Sequence, residues 1–377
     1  MSHSPDLMKP LRSLVEMGER EELEMRPVLL HVLTDLFVSR PSHSFAEIKQ
    51  FEAITLGLMD FAGDRTRLTM AGKLARFGAT PASVVERLMR DGGDAAAEFL
   101  AHSSLIDRAA LLRAALAGDP RQAAAVAARA DLDDEIALIL ARRAEAEVTR
   151  ALVNNFAAPI GEEVADQLIA RRPRDPETAR VLCGRLTAPA RLAALFLHAS
   201  QSQRAEVILA ARRQHLAAPS RAPRGFTDSN IGAEIERAAA DGDRALLAAI
   251  VASGLGAGIS DTESIFDDPF GEPLALSLAA MNVSAETAAR VFMLLDPQIA
   301  HSIDRVRALC RLVEAVSPAT ARAIVDAMIP TRDAPRRRVH APVADPTAAA
   351  TPSRDGTMAR EEQAPQRRGL LLFRQRG

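Results

Sequence analysis

Three arginine pairs close similar strings: Arg142-Arg143 ends "ILARR", Arg171-Arg172 ends "LIARR" and Arg212-Arg213 ends "LAARR". Guanidinium groups grip carboxylates and phosphates through forked hydrogen bonds, so pairs aligned on one edge would form a basic stripe for an acidic partner. The competing use is structural, because a cation in a last helical turn offsets the helix dipole. A second group is the segment Ser260–Glu272, which gathers Asp261, Glu263, Asp267, Asp268 and Glu272. Its spacing does not match a calcium-binding EF-hand, and it reads as a solvated acidic loop. Phe266 and Phe270 lie within it, in a chain otherwise poor in aromatics, and give it a docking character. A third group is Arg336-Arg337-Arg338, followed near the end of the chain by an apolar tip that includes Leu371 and Phe373.

Patterns that would carry catalysis or hold a cofactor are missing. The eight histidines form no HExxH, HxH or cysteine-paired spacing, and no GxSxG elbow occurs. Gly254-Leu255-Gly256-Ala257-Gly258 follows a helical pattern rather than a strand, so it reads as a helix-ending glycine and loop, not a phosphate cradle. Cys183 and Cys310 are far apart and imply neither a disulfide framework nor a zinc site. Arg172-Pro173-Arg174-Asp175 contains an RxxD string, too short to indicate a cyclic dinucleotide. The candidate residues are therefore partner-binding only, and no cofactor is expected.

The elements that position these residues follow from composition. Alanine and leucine dominate the apolar fraction, aromatics are 3%, and Trp and Tyr are absent. Such a chain favours helices packed closely through small side chains over a large sheet. A net charge of −2 over 377 residues argues against a protein that coats nucleic acid or anionic membrane. The apolar stretch from Val28 to Val38 is interrupted by His31 and Asp35, is too short to span a bilayer and has no signal-peptide layout, so a soluble cytoplasmic protein is expected.

The chain also resembles itself at a spacing of 28 residues. Val84, Leu112, Leu140, Leu168 and Phe196 form one ladder of large apolar residues; Ala97, Ala125, Val153, Val181 and Leu209 form another, and Ala109, Ala137, Ala165 and Ala193 a third. Each unit reads as two short helices, with starts at Thr80-Pro81, Asp119-Pro120, Asp175-Pro176 and Ser317-Pro318, where a capping oxygen precedes a proline. Neither helix can bury its apolar face alone, so the units must stack. The expected fold is all-α: an α-solenoid of helix pairs over 80–217, preceded by a helical cap (1–79) and followed by a second helical block (218–330) and a disordered basic tail (331–377).

The runs "VLLHVLTDLFVSR", "FAEIKQFEAITLGLM" and "GATPASVVERLM…AEFLAHSSLIDRAALLRAAL" resemble the alphaproteobacterial family known as domain of unknown function 2336. The closing run "GEPLALSLAAMNVSAETAARVFMLL…VRALCRLVEAVSPATARAIVDAM" extends the resemblance over most of 28–329. It implies a HEAT-like helical-repeat fold and carries no catalytic or binding residues with it. The sequence thus predicts a non-catalytic scaffold or adaptor for a protein or peptide. The alternative is nucleic-acid binding through the arginine pairs and tail, which the lack of stacking aromatics disfavours; a helical-repeat enzyme ranks third.

Overall fold

The helix starts expected at Asp119, Asp175 and Ser317 are in place, and further caps join them. Asp107, Asp119, Asp133, Asp175, Asp243, Ser302 and Ser317 each accept a backbone N–H from the first turn of the helix that follows. Ser44 and Glu47 make a reciprocal capping box. Thr80 departs from expectation. Its hydroxyl donates to the Leu74 and Phe77 carbonyls, so it closes the preceding helix rather than opening the next.

A computed structural model describes residues 25–171, 175–217, 231–295 and 300–329, all within one compact unit, Met1–Arg332. These residues form twenty α-helices and a short 3₁₀ turn (Phe196–His198), and no strand is found among them. The first seven are α1 (Arg26–Val38), α2 (Phe45–Met59), α3 (Asp64–Ala75), α4 (Ala82–Asp91), α5 (Gly93–His102), α6 (Arg108–Ala117) and α7 (Pro120–Ala127). Next come α8 (Asp134–Ala141), α9 (Ala146–Asn154), α10 (Glu162–Arg171), α11 (Pro176–Arg185), α12 (Pro189–Ala194) and α13 (Gln201–Ala217). The last seven are α14 (Ile231–Ala240), α15 (Arg244–Leu255), α16 (Ile259–Phe266), α17 (Glu272–Ala280), α18 (Ala285–Leu295), α19 (Ile303–Ala315) and α20 (Pro318–Met328).

Alternate helices pack on one another. One row runs α1, α3, α5, α7, α9, α11; in the second, α2 touches α4, and α6, α8, α10 and α12 follow in contact. The rows begin at α1, within the segment read as a helical cap. The cause is a recurring buried trio at i, i+3, i+4: Leu30, Leu33, Thr34 in α1; Ala71, Leu74, Ala75 in α3; Ala96, Phe99, Leu100 in α5. Ala123, Val126, Ala127 continue it in α7, then Thr149, Leu152, Val153 in α9 and Ala179, Leu182, Cys183 in α11.

A step of 28 holds only in part of the second row. Ala137, Leu140 in α8 map onto Ala165, Leu168 in α10 and onto Ala193, Phe196, and all six are buried. Between α6 and α8 the step shortens to 26, from Leu111, Ala114, Ala115 to Ala137, Leu140, Ala141. Ala109 consequently points to solvent and Leu112 is only half-buried.

The segment Ser260–Glu272 is not a loop throughout. Thr262, Ile265 and Phe266 bury one face of α16, which runs to Phe266, and only the residues between α16 and α17 turn. Gly256 ends α15 at φ 67°, the left-handed conformation expected of a helix-stopping glycine. No single helix among the described residues is long and apolar enough to cross a membrane.

Candidate functional site

The second row opens between two of its helices. α4 and α6 pack less closely on one another than the other neighbours in that row, and a cleft of about 760 Å³ lies between them. α6 presents Ala110, Ala114 and Ala117 at i, i+4, i+7, so its wall is only methyl groups deep. Val85 and Met89 face it from α4, and Leu105 and Ile106 close one end. Arg90 from α4 and Arg113 from α6 supply one guanidinium per wall, and Glu86 and Asp107 also border the space. The Asp107 carboxylate is occupied, accepting the Ala110 N–H at 2.6 Å as the α6 cap.

Most of the neighbouring cations are spent on ion pairs. Arg87 meets Asp60 and Asp91, Arg108 meets Asp133 and Glu135, and Arg121 meets Asp94. Arg90 and Arg113 have no partner of this kind. An apolar floor bracketed by two unpaired arginines suits an amphipathic ligand carrying carboxylates.

The arginine pairs fare differently. Nη1 of Arg143, on a half-buried side chain, donates to the carbonyls of Ala115 and Gly118, both at 3.0 Å, at the end of the helix one repeat earlier. Its remaining nitrogens meet Glu145, whose carboxyl they hold below the ordinary range. Arg171 donates to the Arg142 carbonyl, at the end of the preceding helix of the same row. These two guanidinium groups therefore hold adjacent repeats together, which takes them out of a free basic stripe. Arg142, Arg212 and Arg213 are exposed and make no ion pair. Arg172, Arg336, Arg337, Arg338, Leu371 and Phe373 lie outside the described residues.

The same lock recurs in the other row, at residues the sequence reading passed over. Arg129 donates to the Leu100 and Ser103 carbonyls, and the Asn155 amide donates to those of Ala127 and Arg129. Arg185 donates to Leu152, Val153, Asn155 and Ala158 at 2.5–3.2 Å. Each such group satisfies carbonyls that a helix end leaves unpaired. Burial without a carboxylate partner lowers the Arg185 pKa from the usual arginine value.

Where the rows end, Arg204 on α13 is only 2% exposed. Nη2 meets Asp268 at 2.5 Å and Nη1 meets Glu272 at 2.9 Å, while Nε donates to the Phe196 and Ala199 carbonyls. Burial opposes its charge, but the bonds to Asp268 and Glu272 outweigh that and raise its pKa. This cluster and the packing of α20 on α12 and α13 join the rows to the helices from α14 onward. Much of the expected acidic loop is thereby used internally: Asp267 pairs with Arg244, and Asp268 and Glu272 with Arg204. Phe266 is buried, and the half-buried Phe270 ring has Arg204 at 5.5 Å and Arg305 at 5.8 Å from its centre. Of the two rings, only that of Phe270 reaches the surface, in part.

Among the described residues, no three His, Cys, Asp or Glu side chains gather as metal ligands. Burial pushes the Cys183 thiol up to about 11, so it stays protonated at neutral pH.

A family model described as an uncharacterised protein conserved in bacteria (DUF2336) matches residues 95–326, more than half the chain. The chain belongs to that family. Neither the curated proteins nor the solved structures give a match. The segment matched to DUF2336 runs from α5 into α20 and holds the locks at Arg129, Arg143 and Arg185 and the junction at Arg204. Helix α4, one wall of the cleft, precedes it.

Proposed function

We propose that this member of DUF2336 is a non-catalytic interaction scaffold or adaptor of the cytoplasm, built on a HEAT-like solenoid, that holds a protein or peptide on its helical-repeat surface. The observation that carries this reading is the cleft between α4 and α6, apolar inside and lined by arginines without partners, in an array whose other cations are largely committed to neighbouring helices. Stacked helix pairs present extended surfaces, and recognition on them comes from grooves between successive helices. The exposed Arg142, Arg212 and Arg213 and the arginines of residues 336–338 add electrostatic steering toward an acidic partner.

The test is affinity capture from lysate with the full-length protein and with a chain ending at Ile329, each with and without nuclease. A nuclease-resistant protein held in stoichiometric amount by both chains supports the scaffold. Loss on shortening the chain moves the contact to residues 330–377, and loss with nuclease replaces the scaffold by nucleic-acid binding.

A further inference from the structure

The cleft specifies its occupant more closely than the scaffold reading on which this inference rests. Of the five arginines between Ala82 and Ala127, Arg87, Arg108 and Arg121 sit in ion pairs; the two that do not, Arg90 and Arg113, line one cavity from opposite walls. Between them lie Val85, Met89 and Leu105, the last 39% exposed. A cylinder about 10 Å across rising 1.5 Å per residue fills roughly 760 Å³ in six or seven residues, about two helical turns.

We infer that the groove between α4 and α6 receives an amphipathic helix of a partner protein, with apolar side chains at i, i+3 or i+4 and i+7 on the alanine wall and carboxylates flanking them against Arg90 and Arg113. Apolar burial supplies the affinity, as in other helix-in-groove contacts. The two guanidiniums set orientation and exclude basic helices, because like charge brought against them is repelled. The unpaired Glu86, one turn before Arg90, sharpens this choice: a ligand carboxylate must sit toward Arg90 and away from Glu86.

The experiment is selection from a displayed library of 16-residue helical peptides on the full-length protein. Enriched peptides are then titrated by fluorescence polarisation against wild type, Arg90→Glu/Arg113→Glu and Ala110→Trp, with circular dichroism confirming that each variant is folded. The expected result is a consensus of apolar residues at helical spacing with excess Asp and Glu, and affinity weakened about tenfold or more by either variant. Raising the salt concentration should weaken the wild-type complex but leave a substantial part of its affinity. A basic consensus, peptides that bind both variants as well as wild type, or no enrichment over an unrelated helical protein would overturn the inference. So would a thermal shift from dodecanoate, lost in Ala110→Trp, without peptide enrichment, which would assign the groove to a small amphiphilic acid. A lysate partner retained equally by the groove variants sinks this inference while leaving the scaffold reading standing.

Discussion

Arg204 and Arg113 carry the same side chain into opposite surroundings. At the junction after the rows, Arg204 is sealed from solvent and bonded to two carboxylates and several carbonyls. On the α6 wall, Arg113 faces an open cleft with no ion pair. The first arrangement has little to offer a ligand, because each bond to a newcomer must break an existing one inside a low-dielectric site. The second costs little to engage. Composition treats these arginines alike; what separates structural from available charge is whether the fold has already supplied the partner.

The sharpest way to break this contrast is Arg204→Met. Asp268, buried at 7% exposure, would lose its cation, and removal of one partner from a buried pair costs about 3–5 kcal/mol. Urea denaturation should show that loss, and Arg204→Met/Asp268→Asn/Glu272→Gln should recover a large part of it. A loss under about 1 kcal/mol would mean that the junction is not held by this cluster.

The carbonyl locks come next. Arg185→Ala leaves carbonyls at the end of α9 without their donor and should cost about 1–3 kcal/mol. Arg143→Ala should cost less, about 1 kcal/mol, because its lock spans two carbonyls and its other nitrogens meet a partly exposed Glu145. Equal losses at the two positions would show that the number of carbonyls held is not what matters.

These locks also mark how far the sequence could be read. The all-helical class and most of the expected caps were legible, because trios such as Phe99 and Leu100 with Ala96 recur at helical spacing. The fixed step of 28 holds from α8 onward in the second row but shortens to 26 between α6 and α8, and Ala109 and Leu112 fell off the ladder for that reason. Arg143 and Arg171 were noticed as charge, yet their partners are backbone carbonyls one repeat away, and carbonyls leave no trace in side-chain identity. Arg204 did leave a signal: it stands on the same helical face as Val207 and Ile208, where a cation needs a buried counter-charge. The cleft was illegible, since Ala110, Ala114 and Ala117 resemble the alanines that allow close packing elsewhere; only the looser packing of α4 and α6 turns them into a wall.

Two pH responses test smaller parts of the scheme. Burial first, then Arg180 and Arg204, lower the His198 pKa beside the junction. The unfolded chain therefore binds this proton more readily, and stability falls as pH drops through about 6.5, the unfolded value. His198→Asn should flatten urea midpoints measured between about pH 7.5 and 5.5 relative to wild type. At the other end of the array, the Ser44 backbone bond, then Arg40, bring Glu47 down to about 2. Its contribution is present above the unfolded value and is lost as pH falls from about 4.5 toward 2, so Glu47→Gln should weaken the acid dependence in that window.

The smallest effect on the fold is expected at the cleft, and there the comparison is tested most directly. Arg90 and Arg113 are exposed, cap no carbonyl and close no ion pair, so Arg90→Glu/Arg113→Glu should change unfolding free energy by no more than about 0.5 kcal/mol. The same double reversal should abolish preference for acidic peptides. Together the two results would separate binding charge from structural charge within one helical array. A destabilisation approaching that of Arg204→Met would instead show that these arginines serve the fold through contacts across the cleft, and the distinction between the two regions would fail.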